Sequence, residues 1–107
     1  MTSENRTIDI ADLSAGDNDL RLMSTDSAQY AVHVTVSGLA GALANMDLLE
    51  SGNGSAWFEI GSTTIAAPGA GEHQASTAAG LTLLFAGIRI DKGTATAGTI
   101  VINAVSK

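Results

Sequence analysis

The 107-residue sequence predicts an all-β fold, an antiparallel β-sandwich of the jelly-roll or Greek-key type with about eight short strands. Three observations predict it. Apolar residues alternate with polar ones in short runs rich in Val, Ile and Thr, the pattern of a pleated, half-buried surface. Gly, Asn, Asp and Ser interrupt these runs roughly every 10 residues, with the turn chemistry that antiparallel strands need. Helical spacers of the kind that build parallel α/β folds are missing, which sets aside a nucleotide-binding α/β reading.

Residues 1–6 are polar and aperiodic, and they read as a flexible N-terminal arm that orders on a partner; 7–107 then form one sandwich domain. In Thr7–Leu13, Ile8, Ile10 and Leu13 alternate with Asp9 and Asp12, giving a short strand. The stretch from Ser14 to Asn18 is a turn, and Leu20–Met23 is a second short strand. Tyr30–Ser37 carries the clearest alternation, with Tyr30, Val32, Val34 and Val36 on one face and Ala31, His33, Thr35 and Ser37 on the other. Within Gly38–Glu50, Leu39, Leu43, Met46 and Leu49 fit a helical turn as well as a strand; the strand reading runs from about Ala44 to Glu50.

Ser51-Gly52-Asn53-Gly54 is the strongest turn signal, because Asn-Gly supplies positive φ angles. It should join Met46–Glu50 to Ala56–Ile60 as a hairpin. Ser62–Ala67 reads as a strand, broken by Pro68-Gly69-Ala70-Gly71, and His73–Gly80 as an edge strand plus a loop. Leu81–Asp91 is a long apolar strand, Lys92–Gly98 a turn region and Thr99–Val105 a closing strand.

Composition narrows the function. Eleven acidic residues against five scattered basic ones leave a net charge of −6, and only Trp57, Tyr30, Phe58 and Phe85 are aromatic. Neither a phosphate-neutralising patch nor a base-stacking platform is present, so nucleic acid is not an expected partner. With no signal-peptide core and no apolar run long enough for a membrane helix, the chain is expected to stay where it is synthesised, with no membrane partner. Zero cysteines preclude disulfides, and burial against other copies or a partner is the expected source of added stability.

No chemistry-bearing constellation emerges, so the expectation is a non-enzyme without cofactor or metal. His33 and His73 have no metal-ligand spacing. Asp17-Asn18-Asp19 has hard oxygens suited to Ca²⁺, but a local turn stabilised by side-chain hydrogen bonds explains it with less machinery. Nucleophile-elbow and phosphate-cradle motifs are absent. Trp57 is either packed where the second hairpin strand enters the core or exposed as a platform for a sugar ring. The candidate ligand or partner contacts are Trp57, Asn53 in the turn before it, and Arg6 in the arm.

The segment LLESGNGSAWFEI from Leu48 to Ile60, followed by Gly61–Ala66 and by FAGIRIDKGTATAGTIVINAVSK from Phe85 to Lys107, resembles small β-sandwich proteins encoded by tailed phages. Those proteins carry a strand, a Ser-Asn-Asp-Gly-x-x-Trp hairpin and a strand. They continue with an aromatic-x-x-Ile/Val-Arg-Val strand, a Gly/Thr-rich turn and a final Gly-Thr-Ile-x-Val strand. Here the turn order differs at Ser51-Gly-Asn-Gly, and Phe85 stands where Tyr is frequent. The resemblance implies a virion component: a capsid decoration (cement) protein, acting as a homotrimer on the major capsid protein or another virion protein. Alternatives are a minor tail, neck or vertex protein, or a carbohydrate-binding adhesive module using Trp57.

Overall fold

The computed structural model describes residues 2–24, 29–78 and 85–106. Residue 1 of the expected arm, residues 79–80 of the expected loop and residues 81–84 of the expected apolar strand lie outside them. The described residues form two antiparallel sheets packed as a sandwich, without an α-helix.

Nine strands follow one another: β1 (Thr2–Asp9), β2 (Asp17–Ser24), β3 (Tyr30–Ala40), β4 (Asn45–Ser51), β5 (Phe58–Glu59), β6 (Ile65–Ala66), β7 (Gly71–Ser76), β8 (Phe85–Asp91) and β9 (Ala97–Ser106). Sheet A has the order β1-β9-β3-β7; sheet B has β2-β8-β4-β5, with β6 also on β4. The pairing is nested. β4 folds onto β5 and β6, β3 onto β7, β2 onto β8, and β1 onto β9, where Thr2 lies opposite Ser106. A long antiparallel ribbon, folded at the β4–β5 hairpin and rolled so that successive pairings alternate between sheets, is a jelly roll. β5 and β6 together fill one strand position, which reconciles nine strands with the expected eight.

The alternation read in the sequence positions the core. Val32, Val34 and Val36 of β3, Ile100, Ile102 and Ala104 of β9, and Met46, Leu48, Ile88 and Ile90 of sheet B are all buried between the layers. A one-residue slip would turn each of these sets towards water, so the register is strongly specified. Tyr30 spans the layers: its hydroxyl reaches Leu49 O at 2.6 Å and Gly87 O at 2.9 Å, tying β3 of sheet A to two strands of sheet B. Burial pushes this phenol well above the ordinary tyrosine range, so it stays protonated and donates.

Several expectations change. The strand expected over Thr7–Leu13 ends at Asp9, which caps a 3-10 turn at Ile10–Asp12, and the second hairpin strand shortens from Ala56–Ile60 to Phe58–Glu59. Residues 2–6 are not a flexible arm: they are the first part of β1, paired residue by residue with β9. Their polarity misled because β1 is an edge strand whose inward positions Glu4 and Arg6 are charged and still 39% and 43% exposed, while Ser3, Asn5 and Thr7 face water, so no apolar alternation marks it. The strand expected over Ser62–Ala67 shrinks to Ile65–Ala66, because Ser62 and Ala67 both adopt positive φ (64° and 41°), which takes a non-glycine residue out of the extended region. The helical alternative for Gly38–Glu50 gives way to β4 and the end of β3, which continues past Ser37 through a register irregularity.

Candidate functional site

The two outer faces of the sandwich differ in chemistry. On sheet B the β4–β5 connection folds back over the strands. Ser51 Oγ accepts from the Asn53 and Gly54 amides at 3.3 and 2.9 Å, and Asn53 Oδ1 accepts from the Ser55 and Ala56 amides at 2.8 and 2.9 Å. Asn53 is therefore engaged in shaping its own loop rather than offered to a ligand. Gly54, at φ 77°, lies against the Phe85 ring, and the Arg21 guanidinium sits 4.5 Å from that ring's centroid.

Trp57 follows this loop, and the structure does not place it in the core between the sheets. It is half-buried on the outside of sheet B, over Gly87: a Cβ at residue 87 would stand 3.0 Å from the indole, and 2.6 Å from Leu20 O. Glycine inside a strand thus admits the ring. Leu49, opposite Gly87 in the ladder, is completely buried although it faces away from the inter-sheet core. Leu49, Gly87, Trp57 and Phe85 form a second, smaller apolar layer. With one face of the indole packed, Trp57 has less surface for stacking on a sugar.

Beside this layer the outer face of sheet B is charged. Arg89 donates twice to Asp19 (2.6 and 2.9 Å) and once to Glu59 (2.9 Å), linking β2, β8 and β5. The bonds to Asp19, and after them the one to Glu59, hold the guanidinium above the ordinary arginine range. Asp47 accepts from the Thr64 hydroxyl.

The outer face of sheet A contrasts with this. Asn5, Asn103, His33 and Gln74 occupy matching positions on β1, β9, β3 and β7, forming one polar row across the four strands. Asn5 donates to Asn103, Gln74 Nε2 donates to His33 Nδ1 (3.3 Å), and the other ring nitrogen, Nε2, carries the proton and donates to Glu72 (3.0 Å). The rows on either side are mostly small, with Thr7, Val101, Thr35 and the charged Glu72 on one and the uncharged Ser3, Val105, Ala31 and Ser76 on the other. Glu72, bonded to His33, and Asp9, which accepts from the Ala11 amide, are the carboxylates at outward positions of this face among the described residues. A shallow trough of about 630 Å³ crosses β7 from this face to a wall at Ser62–Thr64.

Arg6, the third candidate contact, is on β1 of sheet A, 3.5 Å from Glu4, so the structure unites Trp57 with Asn53 but not with Arg6. His73 bonds to Gly69 O at 2.8 Å. Asn18 donates to Ser14 O, Gly16 O and Ile90 O while accepting from the Ser14 amide, which is the turn reading of the Asp17–Asp19 cluster; Asp19 serves Arg89. Sequence reasoning missed the sheet A row and the outer layer of sheet B. Two signals were present: the polar positions alternating with Tyr30, Val32 and Val34, and a glycine within the Phe85–Asp91 strand. Neither a protein-family model nor a curated protein matches this chain.

Proposed function

We propose that this chain is a non-enzymatic structural part of a tailed-phage virion, a decoration (cement) protein that binds the major capsid protein and stabilises the shell. The observation that carries the reading is the asymmetry of the two outer faces. Sheet B is occupied by its own hairpin and by an ion-paired triad, whereas sheet A presents a wide face of small and neutral polar side chains, its carboxylates Asp9 and Glu72 confined to the edge strands, on a protein of net charge −6. Desolvating that face removes few charges from water, so its apolar and hydroxyl groups can contribute to docking without the penalty that buried carboxylates carry.

Size supports an oligomer. Four strands at ~4.8 Å spacing and roughly seven residues at ~3.4 Å rise give a face of roughly 450 Å², below the ~800 Å² per partner of a standard stable interface. A single copy docks weakly; a homotrimer presenting three such faces to a shell gains avidity without new contacts. The jelly roll serves viral shell proteins and lectins alike, so the face rather than the fold selects the function.

Rebinding to capsids stripped of the protein tests the proposal. Wild-type protein restores the particles' resistance to heat, Val105→Lys with Ala31→Lys on sheet A abolishes rebinding, and Asp47→Lys on sheet B leaves it intact. Wild-type protein that does not rebind, or a sheet A double variant that rebinds normally, overturns it. Mass spectrometry of purified particles adds the copy number: hundreds per particle accord with decoration, a dozen or fewer with a tail, neck or vertex position.

A further inference from the structure

Sheet edges are templates for pairing with another chain, and proteins guard them. Among the described residues, three of the four sheet edges are guarded. β1 turns two charges, Glu4 and Arg6, to its inner side; β2 has a register irregularity between Arg21 and Met23 and carries Asp17 and Asp19; the β5–β6 edge is broken into two dipeptides. β7 differs. It pairs with β3 in unbroken register from Ala31↔Ser76 to Val36↔Gly71, with neither lysine, proline nor bulge, and its one carboxylate, Glu72, is bonded to His33.

The Thr77 amide donates to Tyr30 O at 2.9 Å, which sets the phase of the ladder. By antiparallel alternation, residues 73 and 75 turn their backbone groups towards β3, and Glu72, Gln74 and Ser76 turn theirs outward. Where the trough crosses β7 it passes those outward groups, between Gln74–Ser76 and the wall at Ser62–Thr64. Ser62 in that wall holds a left-handed backbone (φ 64°), a strained conformation that the surrounding structure maintains.

We infer that β7 is an acceptor edge which takes an extended, uncharged peptide segment as a fifth strand of sheet A, the segment passing through the end of the trough between β7 and the wall at Ser62–Thr64. Its backbone pairs with Glu72, Gln74 and Ser76, and alternate small side chains lie against the sheet. The segment must be uncharged because the trough offers no free counter-charge among the described residues to offset lost hydration. The inference deepens the shell-docking reading, on which it rests only for the donor: an extended arm of the capsid protein.

The probe is a capped octapeptide copying residues 30–37, the strand that β7 already pairs with, titrated into ¹⁵N-labelled protein. Saturable amide shifts are expected at residues 72–76 and 62–64. They should vanish with the peptide N-methylated at alternate residues and with Gln74→Pro, which removes an outward N–H while leaving the β3 ladder intact. Ser76→Lys, an edge lysine, gives the same test should the proline variant misfold. No saturable shifts at millimolar peptide, or shifts centred on β1 or β2, overturn the inference. Particle binding separates the two readings. Wild-type protein that takes the peptide but ignores stripped capsids sinks the virion reading and keeps the acceptor edge; Gln74→Pro that rebinds capsids like wild type sinks the acceptor edge alone.

Discussion

Removing a single oxygen, with Tyr30→Phe, measures how firmly the two layers are joined. The ring is buried, so the substitution keeps nearly all of its apolar contact and deletes only the hydroxyl between Leu49 O and Gly87 O. A buried carbonyl left without its donor costs about 1–3 kcal/mol, and two carbonyls share this one donor. The expected loss is therefore about 2 kcal/mol, or roughly 8–16 °C in Tm for a domain of this size. Urea unfolding followed by circular dichroism and by Trp57 fluorescence should show the midpoint shifting with m unchanged. The pH dependence supplies an independent check. Because burial raises the folded-state value above the unfolded value of 10.0, the phenol's contribution is complete below pH 10 and declines as pH climbs past it. The decline approaches ~1.4 kcal/mol per pH unit, and it should be missing from Tyr30→Phe. A variant within 0.5 kcal/mol of wild type, or one with the same alkaline decline, refutes the argument that this hydroxyl ties the sheets together.

Three further outcomes are expected. Gly87→Ala puts a methyl 2.6 Å from Leu20 O and 3.0 Å from the Trp57 ring, so it should cost about 1–3 kcal/mol and shift Trp57 emission to the red as the indole lifts; a silent substitution contradicts the packing. Arg89→Met should cost about 1 kcal/mol or less, because the triad is partly exposed, and the difference should shrink in roughly 1 M salt. Deleting residues 1–6 should lower Tm by more than about 10 °C and provoke self-association through the uncovered edge of β9, as scanning calorimetry and light scattering would show; an unaffected protein would restore the flexible-arm reading.

Where side chains must answer to a buried layer, the sequence was readable. β3 and β9 fill the centre of sheet A; in β3 the alternation of Tyr30, Val32, Val34 and Val36 with Ala31, His33, Thr35 and Ser37 marked both the strand and its inward face, whereas the Ile- and Val-rich run of β9 marked only the strand. The Ser51–Gly54 hairpin was legible for a local reason, since its side-chain and glycine requirements lie within a few residues. β1 was not, because an edge strand facing water on one side is selected for polarity and its partner lies at the other end of the chain. Trp57 was misplaced because its position depends on Gly87, thirty residues away, whose missing side chain leaves no hydrophobic signal to count. The sheet A row was hidden for a similar reason. His33, Gln74 and Asn103 are unremarkable in their own segments and become one feature only once the register aligns them.

The nested ribbon also dictates an order of assembly. The β4–β5 turn closes a short loop, and each pairing outward from it begins with ends that the previous pairing has already brought near. Thr2 and Ser106 are far apart along the polypeptide, yet the entropy of bringing them together falls to a small remainder once β3 and β9 are in place. A topology rich in distant contacts can in this way zip shut from its middle, with β1 the last strand to find its neighbour.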